Sequence, residues 1–437
     1  PQPYGELPEP LGSGYREFLA SALDQQRAPL VAVGANDGML HGFDALDGRE
    51  LFAFVPAAVL GHLRELADPG YVHRYYVDGT PMVGNAWTGE RWRTLLVGST
   101  GAGGNSLFAL DISDPEQVRP SSVLWEFSHP ELGYTLGRPS LMALASGRFV
   151  VAISSGARDL ESRSGAIWLL DAANGRVLKR IELPGAGELG PVTAISSTGD
   201  VTANRLYVGD SLGNLWRVDL AGEDGSHSAI PPWLTGKPLF RAQAPDGSPQ
   251  AISAPVAATL DRGGQVRVLF GSGRYYRAGD DEPSAQGESL YGVLDDGRAL
   301  AGRSDLRPVS SGVDIGGASG WYLDLPAGGP RVVEQAQVRD GKLVLFNLIA
   351  VGEDPCSDPL VYASVVLDAG SGEALAGGLP SGEVEDNDAA QPSSAALLQP
   401  DPEGPWRIVG VDRAGRPQSE ALELLRDTGR KAWWEAR

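Results

Sequence analysis

A run of side-chain oxygens at residues 196–204 is the strongest candidate for a metal site in this sequence. Ser196, Thr198, Asp200 and Asn204 alternate along the run, and the carbonyl of Thr202 falls in the same alternation. Calcium takes about six to eight such oxygens, several of them usually carboxylates. Only Asp200 is acidic, so charge compensation for a divalent cation is poor. We predict a metal-free connection between strands, with a calcium loop as the alternative.

The other candidate motifs do not predict catalysis or cofactor binding. The glycine-rich segment 98–106 lacks the Lys-Ser/Thr ending and the helix of a phosphate-binding loop. The GSGR sequence at 271–274 lacks the strand-to-helix elbow of a serine nucleophile. No two histidines have metal-ligand spacing on one element; they are His41, His62, His73, His129 and His227. These patterns predict no catalytic residues, no bound cofactor and no enzymatic activity.

The composition excludes several classes of protein. Of the 437 residues, 58 are Gly and 32 are Pro, too many for a helical protein. Ten tryptophans and 42% hydrophobic residues argue against a disordered chain. The formal net charge of -20 disfavours nucleic-acid binding and favours basic partners. No apolar run reaches the roughly 18 residues of a transmembrane segment.

A repeated unit predicts the elements that position these residues. Each copy has an apolar run ending in Gly, a polar loop, a strand ending in Asp and a tight turn, as in 31–48 and 206–220. The turn aspartates, roughly 50 to 75 residues apart, are Asp44, Asp111, Asp171, Asp219, Asp295 and Asp368. This spacing suits four-stranded propeller blades with loop insertions. We predict an all-β fold, a modified β-propeller of about seven blades (six or eight as alternatives), forming a single domain over 1–437.

Three segments interrupt the repeat. Apolar residues at helical spacing predict short helical inserts at 15–26 and 56–66. The acidic segment 381–394 predicts an exposed loop. The insert at 56–66 and the loop at 381–394 are candidate partner-binding surfaces, with plain solvation as the alternative.

The repeat resembles the tryptophan-docking blades of quinoprotein dehydrogenases, which implies quinoprotein-like blades. Those enzymes combine a calcium-held quinone with a catalytic Asp and commonly carry a disulfide of adjacent cysteines. The single cysteine, Cys356, rules out that disulfide. Because the blades are similar, a quinoprotein-type dehydrogenase remains an alternative function. A general outer-membrane propeller scaffold is another alternative.

Long contiguous blocks carry a second, more specific resemblance. They lie at 33–60, 73–81, 92–115, 131–139, 207–220, 268–276, 354–357 and 428–434. In this order the chain resembles the C-terminal β-propeller domain of the PilY1/PilC-type proteins, the type IV pilus biogenesis factors and tip-associated adhesins. The resemblance covers nearly the full chain.

The resemblance implies the C-terminal domain of a longer exported protein, without that protein's N-terminal region. It implies a location in the periplasm, at the outer membrane and cell surface, and at the pilus tip (the fimbrium). The implied partners are minor pilins and the pilus tip complex, together with host or abiotic surfaces. The implied roles are pilus biogenesis, opposition to retraction, cell adhesion and twitching motility.

The resemblance also bears on the oxygen-rich run. In the family, the segment aligned with 196–204 is a D-x-D-x-D-x-x-x-D calcium loop. By position, the implied Ca²⁺ ligands are Ser196, Thr198, Asp200, Thr202 (through its carbonyl) and Asn204. Aspartate is retained at 200 alone of the four acidic positions. The resemblance therefore implies a degenerate calcium loop here, and argues against calcium control of retraction.

Overall fold

The computed structural model of the chain is built from antiparallel sheets. It describes residues 4, 7, 11–21, 27–156, 164–261, 263–277, 279–280, 287–309, 318–326, 329–351, 360–377, 395–399, 406–411 and 417–421. Within this part of the chain there are seven sheets of three to five strands, which we call blades 1 to 7 in chain order. The predicted all-β fold with about seven blades is confirmed. Cys356 and the segments 381–394 and 428–434 lie outside the described residues.

The strands of blades 1 to 4 follow one another along the chain. Blade 1 contains β1 (Leu30–Gly34), β2 (Leu40–Asp44) and β3 (Glu50–Phe54). Blade 2 contains β4 (Met82–Trp87), β5 (Trp92–Ser99), β6 (Ser106–Asp111) and β7 (Val123–Ser128). Blade 3 contains β8 (Ser140–Ala143), β9 (Phe149–Ser154), β10 (Ser164–Asp171) and β11 (Val177–Pro184). Blade 4 contains β12 (Thr193–Ile195), β13 (Arg205–Gly209), β14 (Asn214–Asp219) and β15 (Phe240–Arg241).

Blades 5 to 7 complete the order. Blade 5 contains β16 (Ala257–Leu260), β17 (Val266–Gly271), β18 (Ser289–Asp295), β19 (Arg307–Pro308) and β20 (Gly320–Asp324). Its last two strands pair in parallel, with β20 next to β18. Blade 6 contains β21 (Gln337–Arg339), β22 (Leu343–Val351), β23 (Leu360–Asp368) and β24 (Ala374–Gly377). Blade 7 contains β25 (Ala395–Leu398), β26 (Arg407–Val411) and β27 (Pro417–Ala421).

The six predicted turn aspartates each end a strand, namely β2, β6, β10, β14, β18 and β23. In five of them the carboxylate accepts a hydrogen bond from the backbone N–H two residues later; these are Asp44, Asp111, Asp171, Asp295 and Asp368. Such a bond forms an Asx turn, in which the side chain helps to reverse the direction of the backbone. The periodic aspartates are therefore turn residues and do not form a catalytic set.

Consecutive blades bury their apolar faces against each other. The first strands of blades 2 to 7 contact one another in sequence, which makes them the inner strands of the ring. Between blades 3 and 4, for example, Ile167 and Leu169 pack in one cluster with Leu206 and Trp216. A single sheet of this size cannot cover both of its faces, so radial stacking supplies the core.

Two tryptophans link neighbouring blades by the same type of contact. Trp125 of blade 2 donates its Nε1–H to the carbonyl of Ala172 in blade 3 at 2.9 Å. Trp321 of blade 5 donates to the carbonyl of Ala369 in blade 6 at 3.1 Å. Each indole lies over a turn glycine with positive φ, where a Cβ would come within 3 Å of the ring. This tryptophan docking confirms the predicted quinoprotein-like blades.

The helical inserts differ in detail from the sequence prediction. Helix α1 spans Leu11–Leu19, so it begins before the predicted insert at 15–26, of which residues 22–26 lie outside the described residues. Its Tyr15 and Phe18 pack on Trp92 of blade 2. The insert predicted at 56–66 is a 3₁₀ helix, Ala57–Ala67. Single 3₁₀ turns occupy Pro115–Gln117, Pro120–Ser122, Pro232–Leu234 and Arg303–Asp305. Among the described residues, no helix is both long enough and apolar enough to cross a membrane.

Candidate functional site

The oxygen-rich segment 196–204 forms a closed loop between β12 and β13 of blade 4. Asn204 closes it: its Oδ1 accepts from the N–H of Ser197 at 2.9 Å, and its own N–H donates to the carbonyl of Ile195 at 3.1 Å. The N–H of Ala203 donates to the carbonyl of Ala143 at 2.8 Å, which fixes the loop against blade 3. The predicted site residues are therefore brought together in one turn.

Asp200 is the centre of this loop. Its Oδ1 accepts from the Ser196 hydroxyl at 3.1 Å, and its Oδ2 accepts from the Thr198 hydroxyl at 2.7 Å. Both the N–H and the hydroxyl of Thr202 donate to Oδ1 at 2.8 Å. These bonds, that of Thr198 first, lower the pKa of Asp200 to about 2. Because the folded-state pKa lies below the ordinary value, the stabilisation is present above that value and is lost as the pH falls toward about 2.

This donor set does not fit a calcium ion. The Ser196 and Thr198 hydroxyls donate their protons to Asp200, so hydrogen bonds within the loop hold this carboxylate and these two hydroxyls together. One carboxylate supplies one negative charge, whereas calcium sites combine several acidic oxygens in a shell of about six to eight ligands. In the described part of the chain, no three acidic, histidine or cysteine side chains converge in a way that could hold a metal.

The histidines take part in surface pairing and packing. His41 lies between Asp37 and Glu50, at 2.9 and 2.6 Å, and His62 contacts Glu65 at 2.7 Å. His129 packs on the ring of Trp168, with centroids 4.7 Å apart. The two remaining histidines, His73 and His227, contact the Tyr75 ring and the Ala221 carbonyl respectively.

The two glycine-rich motifs are also structural. The segment 98–106 turns from β5 to β6, and its Gly103 is in close backbone contact with the Tyr76 carbonyl, where a Cβ would clash. In the GSGR segment, Arg274 forms a two-pronged ion pair with Asp280, its Nε and Nη2 lying 3.0 and 2.8 Å from Oδ1. Neither segment precedes a helix in the described residues, as a phosphate loop or a nucleophile elbow requires.

A buried charge network between blades 4 and 5 was not predicted from the sequence. The carboxylate of Asp295 has no exposed surface and accepts from Arg217 Nη1 at 2.8 Å through both oxygens. The Tyr207 hydroxyl donates to the same carboxylate, and Arg205 lies 3.4 Å away. Burial and then the charge of Asp295 raise the pKa of Tyr207, so its hydroxyl keeps the proton that it donates. The only signal in the sequence was a turn aspartate in the repeat.

The linker between blades 1 and 2 carries the predicted insert and exposes apolar groups. Leu60 is 57% exposed on the 3₁₀ helix, and Val72 is 82% exposed beyond it. Beside them, Arg74 Nη1 lies 2.9 Å from a carboxylate oxygen of Glu65. This part of the surface presents mixed apolar and charged groups, as a binding surface would, while the other candidate surface, 381–394, lies outside the described residues.

A family model and two curated relatives assign the chain to one family. Residues 6–312 match the family described as the PilY1 beta-propeller domain. A type IV pilus biogenesis factor PilY1 homolog of Xylella fastidiosa is 32% identical over 414 residues, which cover 85% of this chain and 28% of that protein. The type IV pilus biogenesis factor PilY1 of Pseudomonas aeruginosa is 33% identical over 417 residues, covering 80% of this chain and 35% of that protein.

A solved structure gives the same answer for the fold. The crystal structure of the Pseudomonas aeruginosa PilY1 C-terminal domain superposes with a TM-score of 0.72 and 26% identity, over 92% of this chain and 94% of that one. The chain spans about a third of the length of these curated relatives. By sequence and by fold, the chain belongs to the family of the PilY1 beta-propeller domain.

Proposed function

We propose that this chain is an exported propeller domain that supports the biogenesis of type IV pili. The observation that carries the proposal is similarity over most of the chain to proteins that are named as type IV pilus biogenesis factors. It acts as one non-enzymatic domain in contact with minor pilins at the pilus tip, in the periplasm and on the cell surface. Through this contact it opposes retraction and contributes to adhesion and twitching motility.

The structure supports a role in binding. Asp295, which is buried, and Asp200, which accepts several hydrogen bonds, are both bonded to other residues of the chain. Their bonds stabilise the chain itself. Surface features that remain available to partners are the exposed linker between blades 1 and 2 and the net charge of -20. An acidic surface attracts basic partners and keeps the protein soluble outside the cell.

Deletion of the gene is expected to reduce surface pili and twitching motility, because assembly loses a tip component. Pili sheared from the cells would be quantified by immunoblotting, and twitching would be scored by the diameter of the subsurface zone. Complementation with the wild-type gene is the control. Normal piliation of the deletion strain would contradict the proposal.

The same deletion in a strain without the retraction motor separates two parts of the proposal. If the protein opposes retraction, removing the motor restores surface pili to the deletion strain. If pili remain absent, the protein is needed to start assembly, and the claim about retraction is wrong.

We also propose that the 196–204 loop keeps its conformation without calcium. The support is the set of hydroxyl donors bound to Asp200, which occupies the centre of the loop. In this arrangement hydrogen bonds stabilise the loop conformation, as metal–oxygen bonds do in a calcium-bound loop of the family.

Calcium at millimolar concentration is therefore expected to leave the melting temperature of the chain unchanged. The matched variant is the triple substitution Ser196→Asp, Thr198→Asp and Asn204→Asp, which restores acidic ligands and should gain a calcium-dependent rise in melting temperature. Differential scanning calorimetry with calcium and with a chelator measures both. A rise in the wild-type melting temperature at micromolar calcium, lost in Asp200→Ala, would overturn the proposal.

A further inference from the structure

One histidine of blade 1 has a carboxylate at each of its two ring nitrogens. His41 lies on β2; its Nδ1 is 2.6 Å from Oε1 of Glu50 on β3, and its Nε2 is 2.9 Å from Oδ2 of Asp37 in the turn between β1 and β2. Apolar groups complete its surroundings: Val33 lies opposite it on β1, and the ring of Phe43 stacks on it at 5.9 Å. Among the residues that the structure describes, these two carboxylates are the charged groups that act on His41.

This geometry requires a doubly protonated ring. A neutral imidazole has one N–H donor and one acceptor nitrogen, so a neutral His41 would turn a lone pair toward one of the carboxylates. The imidazolium donates to both. The hydrogen bond to Glu50, followed by that to Asp37 and the charges of both groups, raises the pKa of His41 against the opposing effect of burial. The stabilisation from these bonds is therefore complete below the ordinary pKa of histidine, and it is lost as the pH rises through the raised value.

The carboxylate of Asp37 also shapes the turn at 35–39. Its Oδ1 accepts from the N–H of Met39 at 3.0 Å, while its Oδ2 faces His41. Within the same turn, the N–H of Ala35 donates to the Met39 carbonyl at 2.9 Å, and the N–H of Gly38 donates to the Ala35 carbonyl at 3.3 Å. One carboxylate therefore connects the ring of His41 to the backbone of the turn.

The linker between blades 1 and 2 rests on this turn. The N–H of Tyr76 donates to Oδ1 of Asn36 at 3.1 Å, and the N–H of Val77 donates to the Ala35 carbonyl at 3.3 Å. Leu63 of the 3₁₀ helix packs directly on the turn glycine, where a Cβ would lie 2.2 Å from its Cδ2. Both the helix and the end of the linker are thus held by the segment that Asp37 shapes.

We propose that His41 couples the binding of one proton to the position of the linker between blades 1 and 2. With the proton bound, His41 holds both carboxylates, and the turn keeps the conformation that the linker contacts. When the proton leaves, the remaining N–H stays with Glu50, the closer partner at 2.6 Å, and Asp37 loses its bond. The turn and the linker are then held less firmly. A pH effect on partner binding rests on the proposed function of the linker as a binding surface, whereas this conformational coupling does not.

Amide hydrogen exchange of the segment that contains Tyr76 and Val77 tests the proposal in the wild-type chain. Exchange is measured by mass spectrometry below and above the pKa of His41, which NMR titration of its ring gives, and each rate is corrected for the intrinsic pH dependence of exchange. We expect protection to be about two- to fivefold lower at the higher pH, the range for a part-exposed ion pair.

Two substitutions assign the effect to this cluster. His41→Gln removes the titrating group and should make the protection independent of pH. Asp37→Asn keeps an acceptor for the N–H of Met39 and removes the charge, so it should lower the pKa of His41 and reduce the pH dependence of the protection.

The matched control is His62→Gln. His62 lies in the linker itself, where it contacts Glu65 and Arg74, and this variant should keep the wild-type pH dependence. The proposal is wrong if protection in the wild type does not change with pH, if His41→Gln shows the same change, or if His41 titrates at or below the ordinary pKa of histidine. A linker that responds to pH in a chain whose deletion leaves piliation normal would reject the pilus role and keep this inference.

Discussion

Replacing Asp295 with alanine is expected to lower the free energy of unfolding by about 3–5 kcal/mol. The substitution leaves the guanidinium of Arg217, whose side chain is 6% exposed, without its closest buried partner. It also removes the acceptor of the Tyr207 hydroxyl. Arg217 then keeps only the part-exposed carboxylate of Asp219. Loss of a buried partner is far more costly than loss of a surface pair, because water cannot replace the missing carboxylate. Urea unfolding followed by tryptophan fluorescence measures the change.

The matched control is Asp219→Ala. Asp219 also binds Arg217, at 2.8 Å, but its side chain is 39% exposed, so water can take its place. We expect a loss of about 1 kcal/mol or less. Equal losses for Asp295→Ala and Asp219→Ala would show that burial of the carboxylate does not determine the effect. Replacing Arg217 and Asp295 together by Met and Leu should recover much of the stability, since both buried charges are then removed and the remaining Arg205 and Asp219 are partly exposed.

The second large effect is expected from Trp321→Ala, at about 3–5 kcal/mol. Trp321 is fully buried, packs over Gly292 and Gly372, and holds blade 6 through its bond to the Ala369 carbonyl. Removing the indole opens a cavity between two blades and deletes one of their direct links. Thermal and urea unfolding would measure the loss, with circular dichroism to check that the fold is retained.

Two further substitutions make this prediction specific. Trp321→Phe keeps most of the packing and loses the N–H donor, so it should have an intermediate effect. Leu46→Ala removes an apolar side chain that is 82% exposed and should change the stability by less than about 0.5 kcal/mol. A loss for Trp321→Ala that is no larger than that for Leu46→Ala would contradict the role of the tryptophan as a link between blades.

The sequence predicted the features of the fold that are local in the chain. The turn aspartates could be found because five of the six carboxylates bond to a backbone N–H two residues later, as Asp171 does with Ala173. The start of the helix Leu11–Leu19 was predicted four residues too late, because Gly12 and Gly14 lower the local helix propensity and the packing of Tyr15 on Trp92 outweighs them. That packing joins residues far apart in sequence.

The same distinction applies to the candidate site. The alternating oxygens of 196–204 were visible in the sequence, and so was the single carboxylate. The closure of the loop by hydroxyls that donate to Asp200 depends on side-chain orientation, which a pattern of residue types does not contain. The pair of Arg217 and Asp295 spans 78 residues, so only the stacking of blades 4 and 5 brings the two groups together.

The packing of Tyr4 against Trp92 of blade 2 and Phe149 of blade 3 has a mechanical consequence. Tyr4 donates its hydroxyl proton to the carbonyl of Asn85 at 2.7 Å, and its N–H donates to the hydroxyl of Tyr15 in α1. Tension applied to the chain at Tyr4 therefore reaches the inner strand of blade 2 and the aromatic contacts of α1 before it reaches β1. These contacts would have to break before the force could unfold blade 1. Blades 2 and 3 therefore bear a force applied at this point of the chain first.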